Sequence, residues 1–349
     1  MYDGLRAVQV SFGDRMKALT YRVLHSLAPG GFRSGAALAQ ALGVSRGSIW
    51  HAIRELEEAG LGVYRVRGRG YRLEQSISLL DTGLVKNLLG ARAGSLALEF
   101  VSTAASTSTL ALQRAREGAT SGTVIAAEWQ TAGRGRHGRS WQAGPAGSLT
   151  FSLVWRFTQG AAVLSGLSLA AGVALLRAIR SFGAADAGLK WPNDVVWRGR
   201  KLAGILVEMQ GDALGPTCAV IGIGINVRLP STVRAHIDQP IADMESACGA
   251  PVDRNAVLAR VLLELAAMLE RFTRHGFSPL RAEWQRYHVW QERAVTVSLP
   301  DGRSESGVVR GVDQAGALIL STRNGVRRYH SGEVSLRLCR ASPRAGVRT

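Results

Sequence analysis

The sequence predicts an α+β protein of three domains: an N-terminal helical module closed by a basic hairpin (residues 1–75), a central α/β domain on a mixed sheet (80–285), and a small C-terminal β-barrel (291–340). Two observations carry this reading. At 349 residues the chain exceeds what a single core comfortably serves. Its hydrophobic period also changes along the chain: helical at first, then strand and helix in alternation, then short alternating strands.

In the first module Met16, Leu19, Val23, Leu24 and Leu27 recur at helical spacing until Pro29-Gly30-Gly31 stops the run. Ser34 caps a second helix with Leu38 and Leu42 inward, ended by Gly43. Ser45 caps a third with Ile49, Ile53 and Leu56 inward, ended by Gly60. Helix, turn and helix over residues 35–54 form a helix-turn-helix. Leu61 to Leu73 then alternates around Gly68-Arg69-Gly70, a hairpin presenting Arg65, Arg67 and Arg69, so the module reads as a winged helix. Ser45, Arg46 and Ser48 stand at the N-terminal end of the third helix, where donors meet a groove or a phosphate. The wing arginines suit salt-dependent phosphate contacts. Winged helices also dock proteins; the three arginines favour DNA.

From Leu96 onward strand-like runs (Leu96–Val101, Thr123–Trp129, Leu149–Trp155, Gly204–Met209, Ala219–Ile225) alternate with helical ones (Thr107–Glu117, Ala161–Phe182, Arg254–Arg274). The Arg198-Gly199-Arg200 turn suggests hairpins, hence an antiparallel or mixed sheet. The C-terminal region alternates at Val295–Leu299, Ser306–Val312, Ala317–Leu320, Gly325–Tyr329 and Val334–Leu338, with turns at Asp301-Gly302, Ala315-Gly316 and Asn324-Gly325. Five such strands close naturally as a barrel.

Composition narrows the function classes. Hydrophobic residues make up 46% of the chain, as in ordinary globular proteins. Cys218, Cys248 and Cys339 lie far apart without a C-x-x-C pair, which argues against a zinc site or disulfide framework and fits a reducing compartment. Asp3, Arg6 and Asp14 leave no signal peptide pattern, and the uncharged stretch Thr158–Leu176 reads as a buried helix rather than a membrane span. A soluble, cytoplasmic protein is expected. The net charge of +17 invites a polyanion. Of 43 basic residues only Lys17, Lys86, Lys190 and Lys201 are lysines, and two of these fall within twelve residues. An ammonium is a compact point charge for a phosphate, unlike a guanidinium fork, which singles out Lys190 and Lys201.

Two constellations carry the chemistry. Gly133-Arg134-Gly135-Arg136-His137-Gly138-Arg139, followed by Trp141, joins two strands. Its glycines let backbone approach an anion, its arginines supply forks, and Trp141 can stack on a base. The spacing is neither a P-loop nor a dinucleotide fingerprint; a phosphate-binding loop and a solvated hairpin tip both fit. The second is Lys190-Trp191-Pro192-Asn193-Asp194, then Lys201-Leu202-Ala203-Gly204-Ile205-Leu206-Val207-Glu208. A short paired hairpin would bring both lysines toward one pocket, with Asp194 a magnesium ligand; a plain turn at Asn193-Asp194 and a bulge at Gly204 are the structural alternatives.

Taken in order, Glu128-Trp129-Gln130-Thr131-Ala132 with the glycine loop through Trp141, the two lysine motifs, and Gly222-Ile223-Gly224-Ile225-Asn226 resemble the signatures of biotin protein ligases of the repressor type. The resemblance spans nearly the whole chain. It implies a catalytic sheet like that of class II aminoacyl-tRNA synthetases and a Src-homology-3-like closing barrel, with Glu333 and Arg337 beside the ATP site. It implies that Ser106-Thr107-Ser108, Gln130, Gly133, Arg134, Gly135, Lys201 and Gly204 line the biotin pocket; Ser108 stands where the family has asparagine. Arg136, Arg139, Trp141, Lys190, Asn193 and Asn226 fall on the ATP side, with Asp194 near Mg2+, and Lys201, Arg136, Lys190 and Asp194 as the catalytic set. The implied chemistry is formation of biotinyl-AMP from biotin and ATP, then transfer to a lysine of biotin carboxyl carrier protein. The adenylate would also act as corepressor, favouring a homodimer on operator DNA. A ligand-sensing repressor without catalysis, and a lipoate–protein ligase, are the competing readings.

Overall fold

The computed structural model describes residues 18–211, 215–235, 237–299, 302–330 and 335–338. Met16, Lys17, Asp301, Glu333, Val334 and Cys339 lie outside the described residues.

The N-terminal module contains α1 (Ala18–Leu27), α2 (Gly35–Leu42), α3 (Arg46–Glu58), β1 (Val63–Val66) and β2 (Gly70–Leu73), the last two paired antiparallel. The expected caps are in place: Ser34 Oγ accepts from Ala37 N at 3.0 Å, and Ser45 Oγ from Ser48 N at 3.0 Å. Val23, Leu24, Leu27, Leu38, Ile49, Ile53, Leu56 and Leu73 form its core.

The central domain runs α4 (Thr82–Leu89), β3 (Ala97–Ala104), α5 (Thr107–Arg116), β4 (Thr123–Gln130), β5 (Gly133–Arg134), β6 (Ser140–Trp141), β7 (Ser148–Phe157), α6 (Leu167–Ser181), β8 (Ala187–Lys190), β9 (Asp194–Trp197), β10 (Arg200–Gly211), β11 (Thr217–Asn226), α7 (Ser231–Arg234), α8 (Met244–Cys248), α9 (Arg254–His275) and α10 (Arg281–Tyr287). Its seven-stranded sheet has the order β3-β4-β7-β11-β10-β9-β8; β3 and β4 are parallel and every other neighbour pair antiparallel. The expected mixed sheet is therefore present. The helix expected over Ala161–Phe182 is split: a short turn at Ala161–Leu164 precedes α6, and Gly166 between them has φ +83°. Strands β8 and β9 have four residues each, too short to show alternation, and went unread in the sequence, as did α4 and α10. Largely apolar before Arg177, α6 lies in the core, with eleven of its fifteen residues buried.

The sheet's two faces differ. Leu149, Phe151, Leu153, Ile221, Ile223 and Ile225 share one core with α6 and α9. On the other face α5 covers only Ile125, Val154, Cys218 and Val220. Beyond it the same face carries Thr150, Gly204 and Gly224 side by side, because residues paired across antiparallel strands point the same way. That uncovered stretch is where the site lies.

The C-terminal domain comprises β12 (Ala294–Ser298), β13 (Ser304–Val312), β14 (Leu318–Thr322), β15 (Gly325–Tyr329) and β16 (Ser335–Leu338) in the order β15-β14-β13-β12-β16. It docks on the sheet's β8 edge: Val289 N donates to Leu189 O at 2.9 Å and Trp191 Nε1 to Gly316 O at 3.1 Å. At the other end, the segment linking the winged module to the central domain is held by Arg254, 2% exposed, whose Nε and Nη2 reach Ser78 O at 3.0 and 2.7 Å. Arg254 also pairs with Glu128, 3% exposed, which accepts from Leu80 N. A buried charge pair of this kind stands only because its remaining donors are satisfied.

Candidate active site

Register places the second constellation. The β8–β9 hairpin pairs Lys190 with Asp194, and the β9–β10 hairpin pairs Asp194 with Gly204. An irregularity between Lys201 and Ala203 shifts the register there. Lys201 Nζ reaches Asp194 Oδ1 at 2.8 Å. Asn193 is fixed on both sides: its Nδ2 donates to Ile205 O at 2.6 Å, and its carbonyl accepts from Ile205 N at 2.9 Å. Its Oδ1 receives Arg136 Nη1 at 3.4 Å, so the glycine loop folds over the lysine hairpin. Asn226 Nδ2 donates to Ala242 O at 3.0 Å and Lys201 O at 3.3 Å, which ties the end of β11 to the start of β10.

Cations crowd one carboxylate. Burial holds the Arg136 guanidinium below the usual arginine range; Asp194 opposes that and Arg139 adds to it. Burial likewise lowers the Lys190 ammonium, with Asp194 pulling upward and Lys201, Arg139 and Arg337 pushing further down. Arg136, Arg139, Lys190, Lys201 and Arg337 thus act on one neighbourhood in which Asp194 is the counter-charge to both Arg136 and Lys190. An excess of positive charge among half-buried groups is a receptacle for a polyanion.

The glycines form the floor. A Cβ on Gly224 would collide with the Trp141 ring, and one on Gly204 would stand 3.3 Å from that ring and 3.2 Å from Lys201 Nζ. The indole therefore lies over the two strands, with its Nε1 buried and without a hydrogen-bond partner among the described residues. Trp141 thus covers Gly204, which the resemblance places in the biotin pocket, and Lys201 Nζ lies 5.7 Å from the centroid of its ring. At the α5 end of the floor, Thr107 N donates to Gln130 Oε1 at 2.6 Å. Thr107 Oγ1 and Ser108 Oγ lie 2.8 and 3.1 Å from Ser152 Oγ. Ser108 Oγ sits against Gly222, where a Cβ would displace it. Ser106 caps α5, accepting from Thr109 N at 3.5 Å. Arg134 pairs with Glu208 at 2.8 Å, and Gly133 stands opposite Trp141 in the β5–β6 ladder.

The structure thus brings Ser106, Thr107, Ser108, Gln130, Gly133, Arg134, Gly135, Arg136, Trp141, Lys190, Asn193, Asp194, Lys201, Gly204 and Asn226 around one stretch of sheet. Arg139 is exposed at the loop's end and reaches the cluster through its field. Two contributors were missed in the sequence. Ser152 had a signal: Ser148, Thr150 and Ser152 make a polar stripe along a strand whose other face is apolar. Trp290, whose ring centroid lies 4.7 Å from Lys190 Nζ, comes from the segment joining two domains and had none.

In the winged module the hydroxyls of Ser45 and Ser48 are 2.9 Å apart and Ser45 is occupied in capping. Arg46 is exposed at the start of α3. Arg65, Arg67 and Arg69 are exposed on the wing, but Arg65 is paired with Glu57 and Arg69 lies 4.3 Å over the Phe32 ring.

Comparison with known proteins agrees with this architecture. The biotin/lipoate A/B protein ligase family matches residues 100–226, a helix-turn-helix domain matches 23–72, and the biotin protein ligase C-terminal domain matches 292–337. The chain is 37% identical over 311 residues to the bifunctional ligase/repressor BirA of Salmonella typhimurium, covering 89% of this chain and 95% of that one. It is 36% identical over 316 residues to that of Escherichia coli, covering 90% and 96%. The solved biotin protein ligase of Aquifex aeolicus in complex with biotin and ATP superposes with a TM-score of 0.59 at 27% identity, over 70% of this chain and 99% of that one. With 37% and 36% identity to these two ligase/repressors over 89% and 90% of its length, the chain belongs to the biotin protein ligase family, in its bifunctional ligase/repressor branch.

Proposed function

We propose that this protein joins biotin to ATP as biotinyl-AMP, transfers the biotinyl group to a lysine of a biotin carboxyl carrier protein, and represses transcription by binding operator DNA through its winged helix. The observation that carries the catalytic half is the set of cations about Asp194 at the edge of a glycine floor. Two anions must meet there, a carboxylate and a triphosphate, so fixed positive charge and backbone donors lower the barrier. Biotin's carboxylate attacks the α-phosphorus, pyrophosphate leaves, and the amine of the acceptor lysine then attacks the mixed anhydride, releasing AMP.

In this reading Lys201 meets the carboxylate and the phosphate it attacks. Arg136, Lys190, Arg139, Asn193 and Asn226 hold the nucleotide. Gln130, the Ser106-Thr107-Ser108 triplet and the loop glycines hold biotin, with Trp141 covering the reacting groups once the floor is occupied by ligand. Magnesium fits as the nucleotide's own counter-ion: among the described residues no cluster of three carboxylate, histidine or cysteine ligands exists, and Mg2+ commonly takes one carboxylate and completes its shell with phosphates and water. Asp194 would supply that carboxylate. In the same reading the sheet is of the class II synthetase kind, the C-terminal domain a Src-homology-3-like barrel, and the protein a homodimer when it holds the adenylate, in a cytoplasmic setting that the free thiols of Cys218 and Cys248 suit.

The test is incubation with ATP, labelled biotin and an apo carrier protein. Label on the carrier, lost when ATP is omitted, is the expected result. Biotin and operator binding without labelling would leave a sensing repressor instead.

A further inference from the structure

We propose that Trp290 is a positioning residue for the nucleotide, its indole face holding the Lys190 ammonium in place while leaving that ammonium's charge available to phosphate. This rests on the reading of Lys190 as an ATP-side residue. The two lysines beside Asp194 are treated differently. Asp194 Oδ1 is taken by Lys201 at 2.8 Å, whereas Lys190 Nζ lies 4.7 Å from the centre of the Trp290 ring. A carboxylate in the place of Trp290 would neutralise the ammonium and compete with an incoming anion. An indole face attracts a cation through its quadrupole, fixes it, and leaves its charge and N–H donors free.

Lys190 needs such a partner. It is half-buried, and Lys201, Arg139 and Arg337 all oppose its charge, with Asp194 on the other side of the balance. Without an anchor, repulsion would drive a four-carbon side chain away from the cluster and into solvent.

The segment carrying Trp290 is fixed on the edge of the catalytic sheet. His288 bridges Leu189 in parallel, and Val289 N donates to Leu189 O at 2.9 Å. The Val289 side chain fills the space over Gly188, where a Cβ would meet it at 2.5 Å. The His288 ring stacks on Trp284 with centroids 4.6 Å apart. Downstream, Arg293 N donates to Trp290 O at 3.1 Å, and Val309 N donates to Arg293 O at 3.0 Å, so the C-terminal sheet secures the far side. The joint between the two domains thereby sets the place of a cation in the nucleotide site.

Biotin-dependent ATP–pyrophosphate exchange tests this in the full-length protein. Trp290→Leu is expected to raise the KM for ATP about fivefold to thirtyfold, the range spanned by a partly to fully desolvated cation–π contact, with kcat and the KM for biotin within about twofold. Trp290→Phe, which keeps a weaker face, should return the KM for ATP to within about threefold of the wild type. In a Lys190→Ala background, Trp290→Leu should add nothing, because the partner is gone. A KM for ATP unchanged in Trp290→Leu, the same rise with Lys190 absent, or failure of Trp290→Phe to recover it would overturn the proposal. If the wild type shows no exchange, the ligase reading fails; calorimetric titration of the same variants with ATP then reads the Trp290–Lys190 contact alone, and equal affinities would sink it.

Discussion

Lys201 is held at 2.8 Å from Asp194 and directly over the Gly204 floor, in a space one ammonium fills. A guanidinium is wider and planar, so Lys201→Arg cannot reproduce that position without displacing Trp141. Adenylate formation in this variant is expected to fall by on the order of 100-fold, the cost of losing one transition-state donor, with an unchanged melting temperature. Wild-type pyrophosphate exchange in Lys201→Arg would remove the role given to the ammonium. Ser108 poses the opposite question, since the resembled family has an amide there. Its hydroxyl lies 3.1 Å from Ser152 Oγ and rests on Gly222. Ser108→Asn gains reach, and one added hydrogen bond of about 0.5–1.5 kcal/mol corresponds to roughly twofold to tenfold tighter biotin binding with little change in turnover. Weaker binding by calorimetry would mean that the pocket is built around the Ser108–Ser152 hydroxyl pair.

At the scale of elements, the wing and the joint before the C-terminal domain make separate predictions. Replacing Arg67 and Arg69 with alanine should each lower the log–log salt slope of DNA binding by about 0.9, one phosphate contact apiece. Arg65→Ala should lower it less, because Glu57 already neutralises that guanidinium. An equal effect at all three positions would show that the Arg65–Glu57 pair opens on DNA. In the joint, His288 is 4% exposed and burial pushes its pKa down to about 4, with Gln291 opposing weakly. The folded protein keeps it neutral, while the unfolded chain takes up a proton near pH 6.5. Its contribution to stability is therefore full above about pH 6.5 and is lost as pH falls toward 4. The wild type should lose more melting temperature between pH 7 and 4.5 than His288→Gln does; parallel curves would show that His288 is protonated in the folded state.

Across the whole molecule, the segment linking the winged module to the catalytic sheet is anchored at the Glu128–Arg254 pair and Asn255 through the backbone of Ser78, Leu79 and Leu80. These contacts lie after Gln75, so a protein lacking residues 1–75 retains all of them. Such a truncation is expected to keep carrier labelling measurable and to lose operator binding. Loss of labelling in a truncation with intact circular dichroism would show that the winged module supports the site directly. Trp129 packs against the winged module's core while Gln130 accepts from Thr107 N at 2.6 Å, so one strand end touches both domains.

The sequence by itself determined the three modules, the helix caps, the glycine loop and both lysines, because caps, turns and hydrophobic periods are local and each leaves its mark within a few residues. Ser34, Ser45 and Gly43 act where their types require, and Lys190, Asp194 and Lys201 meet because two short hairpins join neighbours in sequence. Only the tertiary structure decided what lies across the sheet and between domains. Trp141 rests on Gly204 and Gly224 from other strands, Ser152 meets Thr107 and Ser108 some forty-five residues before it, and Trp290 reaches Lys190 from a hundred residues beyond. Such contacts depend on strand order and domain docking, which burial of the whole apolar surface fixes at once, so no local period records them.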